Sequence, residues 1–327
     1  MDPFEPLEAM RRIERSEIGP ATLEALHAGA ERLCCEYPTA APQALRAQAE
    51  QQLWHVQRLL DGRTTASQHR ELLVVAGWLT LLLGCLHNDM GARGAAEAAR
   101  EAAHRLGREA GHPVIVRWAR ELQCWFALND GRLRDITRFA EAGLASLRMP
   151  DSASVQLALQ AAKGWAKLGD RRATDAALRH GSSLLNQLPA AGRPENHFVF
   201  DPSKYAFYAA PIYAWLGEHD RAEEHCDEVL ARCAAPDGTT AWPMRIADTH
   251  NTMALVRLQR GDLDGALDHA DRALGYDRKS IPSLLSGTSD LVDALRRRHP
   301  REPAGHELRE RIVETCRAIG RRPPATA

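Results

Sequence analysis

A short glycine-containing loop recurs five times along the chain, and this recurrence restricts the fold more than any other feature of the sequence. The glycines are Gly91, Gly131, Gly169, Gly217 and Gly261, and they lie 38 to 48 residues apart. Each follows an apolar stretch with helical spacing and precedes an alanine-rich stretch. Because glycine readily adopts the left-handed conformation that ends a helix, the pattern predicts five antiparallel helix hairpins.

The residue seven positions before each glycine is small in every copy. These residues are Gly84, Cys124, Ala162, Ala210 and Ala254. A position that accepts only small side chains predicts that the two helices of a hairpin cross closely there. We therefore expect an all-α chain in which helix hairpins stack into a solenoid.

The repeats occupy the middle of the chain. We expect N-terminal helices over 1–66, five drifted repeats over 67–280, capping helices over 281–320 and a disordered tail over 321–327. A chain of 327 residues is long enough for two or three domains. Since a repeat array can absorb this length without division, we predict a single domain over 1–320.

Two sets of residues resemble known helical-repeat proteins. The stretch GDLDGAL at 261–267, followed by Ala270 and Ala273, is similar to a tetratricopeptide repeat. A closer resemblance is to the C-terminal helical-repeat half of actinobacterial XRE-type helix-turn-helix transcriptional regulators. The segments that carry this second resemblance are DPFE at 2–5, GPATL at 19–23, QHRELL at 68–73, AGWL at 76–79, HFVFDP at 197–202, KY at 204–205 and YAWLG at 213–217.

The resemblance implies both a fold and a function. The fold would be a tetratricopeptide-like α-α superhelix, and the function that of a sensor or interaction module for a ligand or peptide. Such regulators carry an N-terminal DNA-binding domain, which we do not expect in this chain. The chain is then either the sensor half of a regulator or a free-standing relative in specialised metabolism.

Helical spacing also predicts which residues face the inside of the array. Residues thirteen, ten, six and three positions before each glycine share one stripe. In the tetratricopeptide arrays that this chain resembles, that stripe lines the inner groove. Together with neighbouring residues it gives the predicted ligand-binding set Trp78, Trp118, Glu121, Trp125, Lys163, Lys204, Phe207, Tyr208, Arg245, Asp248 and Asn251. Apolar walls with a few placed polar groups are typical of a pocket for a small molecule or peptide.

Two features of this set leave alternatives open. The tryptophans are either ligand contacts or core residues of a tightly wound array. The chain has only four lysines, of which Lys163 and Lys204 fall in the stripe and Lys167 follows one turn after Lys163. A lysine in a groove can bind a carboxylate or phosphate through its ammonium group, or form a Schiff base when its pKa is depressed. In the alternative interpretation, the three lysines lie on a solvated edge and have no function in binding.

The segment 197–208 supports an alternative prediction, a cofactor-independent enzyme. Here His197 and Asp201 would act as an acid/base pair, with Lys204, Tyr205 and Tyr208 as further proton donors or acceptors. In the competing structural interpretation, Asp201 or Ser203 only caps a helix. We favour a binding protein over an enzyme and assign no catalytic residue.

Composition excludes several partners. With 42 Lys+Arg against 43 Asp+Glu, the chain lacks the excess positive charge of a nucleic-acid binder. The uncharged run 72–88 is shorter than the roughly 20 residues that span a membrane, so we predict a buried helix and no membrane partner. The seven scattered cysteines predict reduced thiols and a cytoplasmic location.

The sequence contains no motif that indicates a cofactor or metal, and we predict neither. A metal site built from His219, His225 and Cys226 is the open alternative. The expected partner is a small molecule or peptide in the groove. One chain leaves open whether a DNA-binding protein, or a second copy in a homodimer, also binds.

Overall fold

The computed structural model describes residues 18–145, 147–233, 242–299 and 303–321, and these residues form helices and connecting loops with no strand. The helices are α1 (Pro20–Glu36), α2 (Pro42–Leu60), α3 (Ala66–Asp89), α4 (Arg93–Glu109), α5 (Pro113–Asn129), α6 (Leu133–Leu144), α7 (Ser152–Leu168), α8 (Arg171–Leu185), α9 (Pro202–Trp215), α10 (His219–Cys233), α11 (Pro243–Gln259), α12 (Leu263–Gly275), α13 (Ile281–Arg298) and α14 (Ala304–Arg321). The prediction of an all-α chain is confirmed. Residues 1–17 of the predicted N-terminal helices and 322–327 of the predicted tail lie outside the described residues.

Five helix hairpins follow one another from α3/α4 to α11/α12. The first helix of each hairpin also packs against the first helix of the next, which creates an inner layer of α3, α5, α7, α9 and α11. The five repeated glycines have φ between +69° and +85°. The prediction that they end helices in the left-handed conformation is confirmed.

The small residues before these glycines lie where the helices of a hairpin meet. A Cβ atom at Gly84 would stand 3.7 Å from the Ala96 carbonyl oxygen and 3.7 Å from the Arg100 nitrogen, both on α4. The Cys124 Sγ lies 3.5 Å from the carbonyl oxygen of Ile136 on α6. The close crossing that the sequence predicts is therefore present, and a larger side chain would separate the helices.

The first helix of the array, α3, is the most apolar. Thr65 and Gln68 form a capping box at its start. By length and composition alone this helix could cross a membrane, with a mean hydropathy of 1.5, but 72% of the apolar window is buried inside the protein. The core helices of folded domains share this composition, and the prediction of a buried helix over 72–88 is confirmed.

Helix α13 does more than cap the last hairpin. It packs against α11 and α14, as a following hairpin would, and it also contacts α3 and α5 at the opposite end of the array. The Trp125 Nε1 on α5 donates a hydrogen bond to the Ser283 Oγ on α13 over 3.3 Å. The predicted capping segment therefore forms a wall along the inner layer.

A buried polar cluster joins the two ends of the array. The Tyr37 hydroxyl and the Arg278 Nη2 both donate to the Asp89 Oδ2, over 2.7 Å and 2.6 Å. Tyr37 follows α1, Asp89 ends α3, and Arg278 lies in the loop before α13. This cluster ties the beginning of the array to its end.

Candidate functional site

A cavity of about 220 Å³ lies between the inner layer and α13. Its walls come from α5, α7, α9, α11 and α13, with Tyr37, Asp89 and parts of the 197–200 and 279–280 loops at one end. Nine of the eleven predicted ligand-binding residues line it: Glu121, Trp125, Lys163, Lys204, Phe207, Tyr208, Arg245, Asp248 and Asn251. The 3.6-residue period thus brings the polar and aromatic stripe of successive repeats to one place.

Trp78 and Trp118 do not line the cavity. Both pack against Phe198, with ring centroids 5.4 Å and 5.3 Å apart, and Trp118 is 0% exposed. Trp78 and Trp118 therefore follow the alternative interpretation, in which the tryptophans are core residues and not ligand contacts. The physical reason is that the long loop before α9 inserts Phe198 at the position where the first repeats would face a ligand.

Two glutamines accompany Glu121 in the cavity wall. The Gln160 Nε2 on α7 donates to the Glu121 Oε1 over 2.7 Å, and burial raises the pKa of the Glu121 carboxyl. The side-chain oxygens of Gln156 and Gln160 are buried and have no hydrogen-bond partner among the described residues. Unpaired buried acceptors are costly, so these groups are suited to receive donors from a molecule in the cavity.

Asn251 presents a second set of unpaired polar atoms. It lies on α11, lines the cavity and is 5% exposed. Its amide nitrogen and its amide oxygen are both buried, and neither has a partner among the residues that the structure describes. Asn251 can therefore offer both a donor and an acceptor to the same ligand.

Lys163 and Asp248 face the cavity from α7 and α11. The Lys163 Nζ stands 4.0 Å from the centroid of the Tyr208 ring. Burial lowers the pKa of Lys163 to about 8, and the charges of Asp248 and Glu121 oppose this shift. Burial likewise raises the pKa of Asp248 to about 7, against the effect of Lys163.

Lys204 is engaged by the backbone of the 197–200 loop. Its Nζ donates to the carbonyl oxygens of His197 and Val199 over 2.5 Å and 2.7 Å. The His197 Nε2 lies 3.6 Å from the Cys85 Sγ, and its ring packs on Tyr37 with centroids 4.1 Å apart. Burial holds the pKa of His197 well below its ordinary value, so the imidazole is neutral.

Asp201 acts as a helix cap. It accepts hydrogen bonds from the backbone nitrogens of Ser203 and Lys204 over 2.9 Å and 3.2 Å, and it pairs with Arg245 over 3.5 Å. The Tyr205 hydroxyl donates to the Leu178 carbonyl over 3.4 Å. Of the five residues in the enzyme alternative, His197, Lys204 and Tyr208 line the cavity, whereas Asp201 and Tyr205 serve the fold.

Several lining residues were not among the predicted site residues. Trp242 directly precedes α11, and the guanidinium carbon of Arg245 lies 4.3 Å from the centroid of its ring. Ser283 and Asp290 come from α13, whose position beside α5 the repeat pattern gave no means to predict. The segment 234–243 contains two prolines, a glycine and Trp242 itself, and this composition was the signal available for Trp242.

The described residues contain no group of three or more His, Cys, Asp or Glu side chains that could hold a metal ion. His219, His225 and Cys226 thus do not form the alternative metal site.

No protein-family model matches the chain, and a comparison with curated proteins gives no match.

Proposed function

We propose that this chain is a sensor module that binds a small organic molecule inside a tetratricopeptide-like superhelix. The observation that carries this proposal is the cavity between the inner layer and α13, with unpaired, buried polar side chains in an aromatic wall. Asn251, Gln156 and Gln160 are each at most 5% exposed and lack partners among the described residues for at least one side-chain atom. A bound molecule would supply those hydrogen bonds.

The composition of the wall indicates the character of the molecule. The rings of Trp125, Phe207, Tyr208 and Trp215 offer apolar contact, and the polar groups occupy a few fixed positions among them. Such a site fits an amphipathic molecule with a flat apolar body. An extended peptide fits less well, because α13 lies across the inner layer and packs against α3, α5 and α11.

The walls also suggest how binding would be sensed. Helix α13 contacts α3 and α5 at one end of the array and α11 at the other. A ligand that touches Asn251 and the facing Gly287 of α13 would therefore stabilise one arrangement of the two ends. The resemblance to XRE-type regulators supports an output in transcriptional control, through a DNA-binding domain or partner, in the cytoplasm.

Native mass spectrometry of the gently purified full chain tests this proposal, alongside thermal denaturation with a diverse set of small organic molecules. The matched variants are Gly287→Phe, which places a ring in the cavity, and Gly94→Phe, where an added Cβ meets nothing within 4 Å. We expect a retained or stabilising molecule with wild type and Gly94→Phe, and its loss with Gly287→Phe. Binding that Gly287→Phe leaves intact would contradict the assignment of the cavity.

A further inference from the structure

Lys163, Lys167 and Lys204 differ in their contacts. The Lys167 Nζ pairs with the Asp290 Oδ2 over 2.7 Å, and Lys204 donates to two backbone carbonyls. Lys163 faces the cavity and has no ion pair or hydrogen bond with any described residue; its amine lies against the Tyr208 ring. Its amine is therefore available to a molecule in the cavity.

The surroundings of Lys163 favour a nucleophilic amine. An amine attacks carbon only in its neutral form, which burial among aromatic rings promotes. With a pKa of about 8, Lys163 holds much more neutral amine near neutral pH than an ordinary lysine does. Tyr208 and Phe207 meanwhile provide a flat apolar surface directly beside the nitrogen.

Asp248 provides the acid that such chemistry needs. It lines the same cavity, and its charge is among those that act on Lys163. Because the pKa of Asp248 is about 7, both the carboxyl and the carboxylate are present near neutral pH. A group in this state can donate a proton in one step and accept one in the next.

We propose that Lys163 captures a ligand with an aldehyde or ketone group as an imine, with Asp248 as the proton donor and acceptor. The inference rests on the proposed ligand cavity. The Lys163 nitrogen forms a bond to the carbonyl carbon, and the carbonyl oxygen becomes a hydroxyl as the nitrogen loses a proton. The hydroxyl then leaves as water with a proton from Asp248, and the carboxylate accepts the remaining proton from nitrogen. No oxidant or reductant takes part.

Reductive trapping tests this capture in the full-length chain. The protein is incubated with 2-naphthaldehyde and sodium cyanoborohydride, and the modified lysine is identified by peptide mass mapping. We expect one main adduct, on Lys163, which Lys163→Arg loses and Lys167→Arg keeps. Mapping in the wild type does not depend on how the variants fold. No adduct, or adducts spread over the four lysines, would overturn the inference.

The pH dependence of the trapping rate tests how the neighbouring charged groups act on Lys163. The charged groups that face Lys163 are Glu121 from α5, Asp248 from α11 and Lys167 on its own helix, and α9 contributes the Tyr208 ring. Since the Asp248 charge favours the ammonium form, Asp248→Asn should move the midpoint of the trapping rate to lower pH. The exposed Asp268→Asn should leave it in place. An unchanged midpoint in Asp248→Asn would overturn the role assigned to Asp248.

A non-reactive probe separates this inference from the proposed function. The alcohol 2-naphthalenemethanol has the same apolar body but cannot form an imine. Its binding is measured by calorimetry with wild type and with Gly287→Phe. If the alcohol binds and the aldehyde is not trapped, the cavity stands and the capture by Lys163 is overturned. If neither probe binds, the result counts against the cavity itself.

Discussion

Lys204 connects the 197–200 loop to the inner layer. Its side chain is 5% exposed, and its ammonium group holds two carbonyl oxygens of that loop. Burial lowers its pKa to about 7 from an ordinary value of 10.5, and the positive charge of Arg245 adds to the effect. Burial of the Lys204 charge therefore lowers the stability of the folded chain, while its hydrogen bonds position the loop that covers Trp78 and Trp118.

This shift predicts how stability depends on pH. Between about pH 7 and pH 10.5 the unfolded chain binds more protons at Lys204 than the folded chain, so the free energy of unfolding should rise with pH. This gain in the free energy of unfolding is complete above about pH 10.5 and is lost as the pH falls to about 7. In urea denaturation at a series of pH values, Lys204→Met should show a shallower rise than wild type. Equal slopes would contradict this assignment.

Single residues also show what the sequence reveals about the site. Glu121, Lys163, Asp248 and Asn251 line the cavity as expected, because helical spacing alone determines which side of each inner helix they occupy. Their ligand remains a prediction. Trp78 could not be separated from them by spacing, because Phe198, which covers it, belongs to a loop far away in the chain.

At the scale of helices, the hairpin crossing leaves little space for larger side chains. Ala210 on α9 is 1% exposed and clusters with Cys226 on α10 and Met253 on α11. Ala210→Leu should lower the free energy of unfolding by about 1–3 kcal/mol, because the added carbons have no space. The exposed Ala95→Leu on α4 should change it by less than about 0.5 kcal/mol. Urea denaturation measures both, and equal effects would mean that the crossing tolerates larger residues.

The Asp290 carboxylate, near the middle of α13, holds this helix against its neighbours. Asp290 accepts hydrogen bonds from the Lys167 Nζ and, over 2.9 Å, from the Trp215 Nε1. Asp290→Ala should lower the local stability of α13 by about 1 kcal/mol, which corresponds to roughly fivefold faster amide exchange. Hydrogen exchange followed by mass spectrometry reports this over residues 281–298. The exposed Asp293→Ala on the same helix should keep wild-type exchange. Unchanged exchange in Asp290→Ala would show that α13 is held elsewhere.

Across the whole molecule, local patterns and long-range contacts differ in how well they can be predicted. The hairpins follow from Gly91 and its equivalents, since a helix end and a close crossing are properties of neighbouring residues. The contact of α13 with α3 and α5 depends on how each hairpin is rotated against the next. Small rotations accumulate along an array, and no motif in the sequence specifies them. The sequence therefore could not predict that α13 forms one wall of the cavity.

The ion pair of Asp89 and Arg278 connects the two ends of the array. The Asp89 carboxylate is 0% exposed and Arg278 is 4% exposed, so removing one partner leaves a charge that water does not reach. Arg278→Ala should lower the free energy of unfolding by about 3–5 kcal/mol. Arg272→Ala, which breaks an exposed pair with Asp268, should cost less than about 1 kcal/mol in the same urea experiment.

The double variant Asp89→Asn/Arg278→Met separates the buried charge from the connection it makes. It removes both charges and should recover part of the stability lost in Arg278→Ala. Tyr37 and Asp89 also line the cavity, so ligand-induced stabilisation should stay reduced in the double variant even where the fold is restored. If stability and ligand response return together, the pair serves folding alone. If only stability returns, the contact between the two ends of the array is part of the binding site.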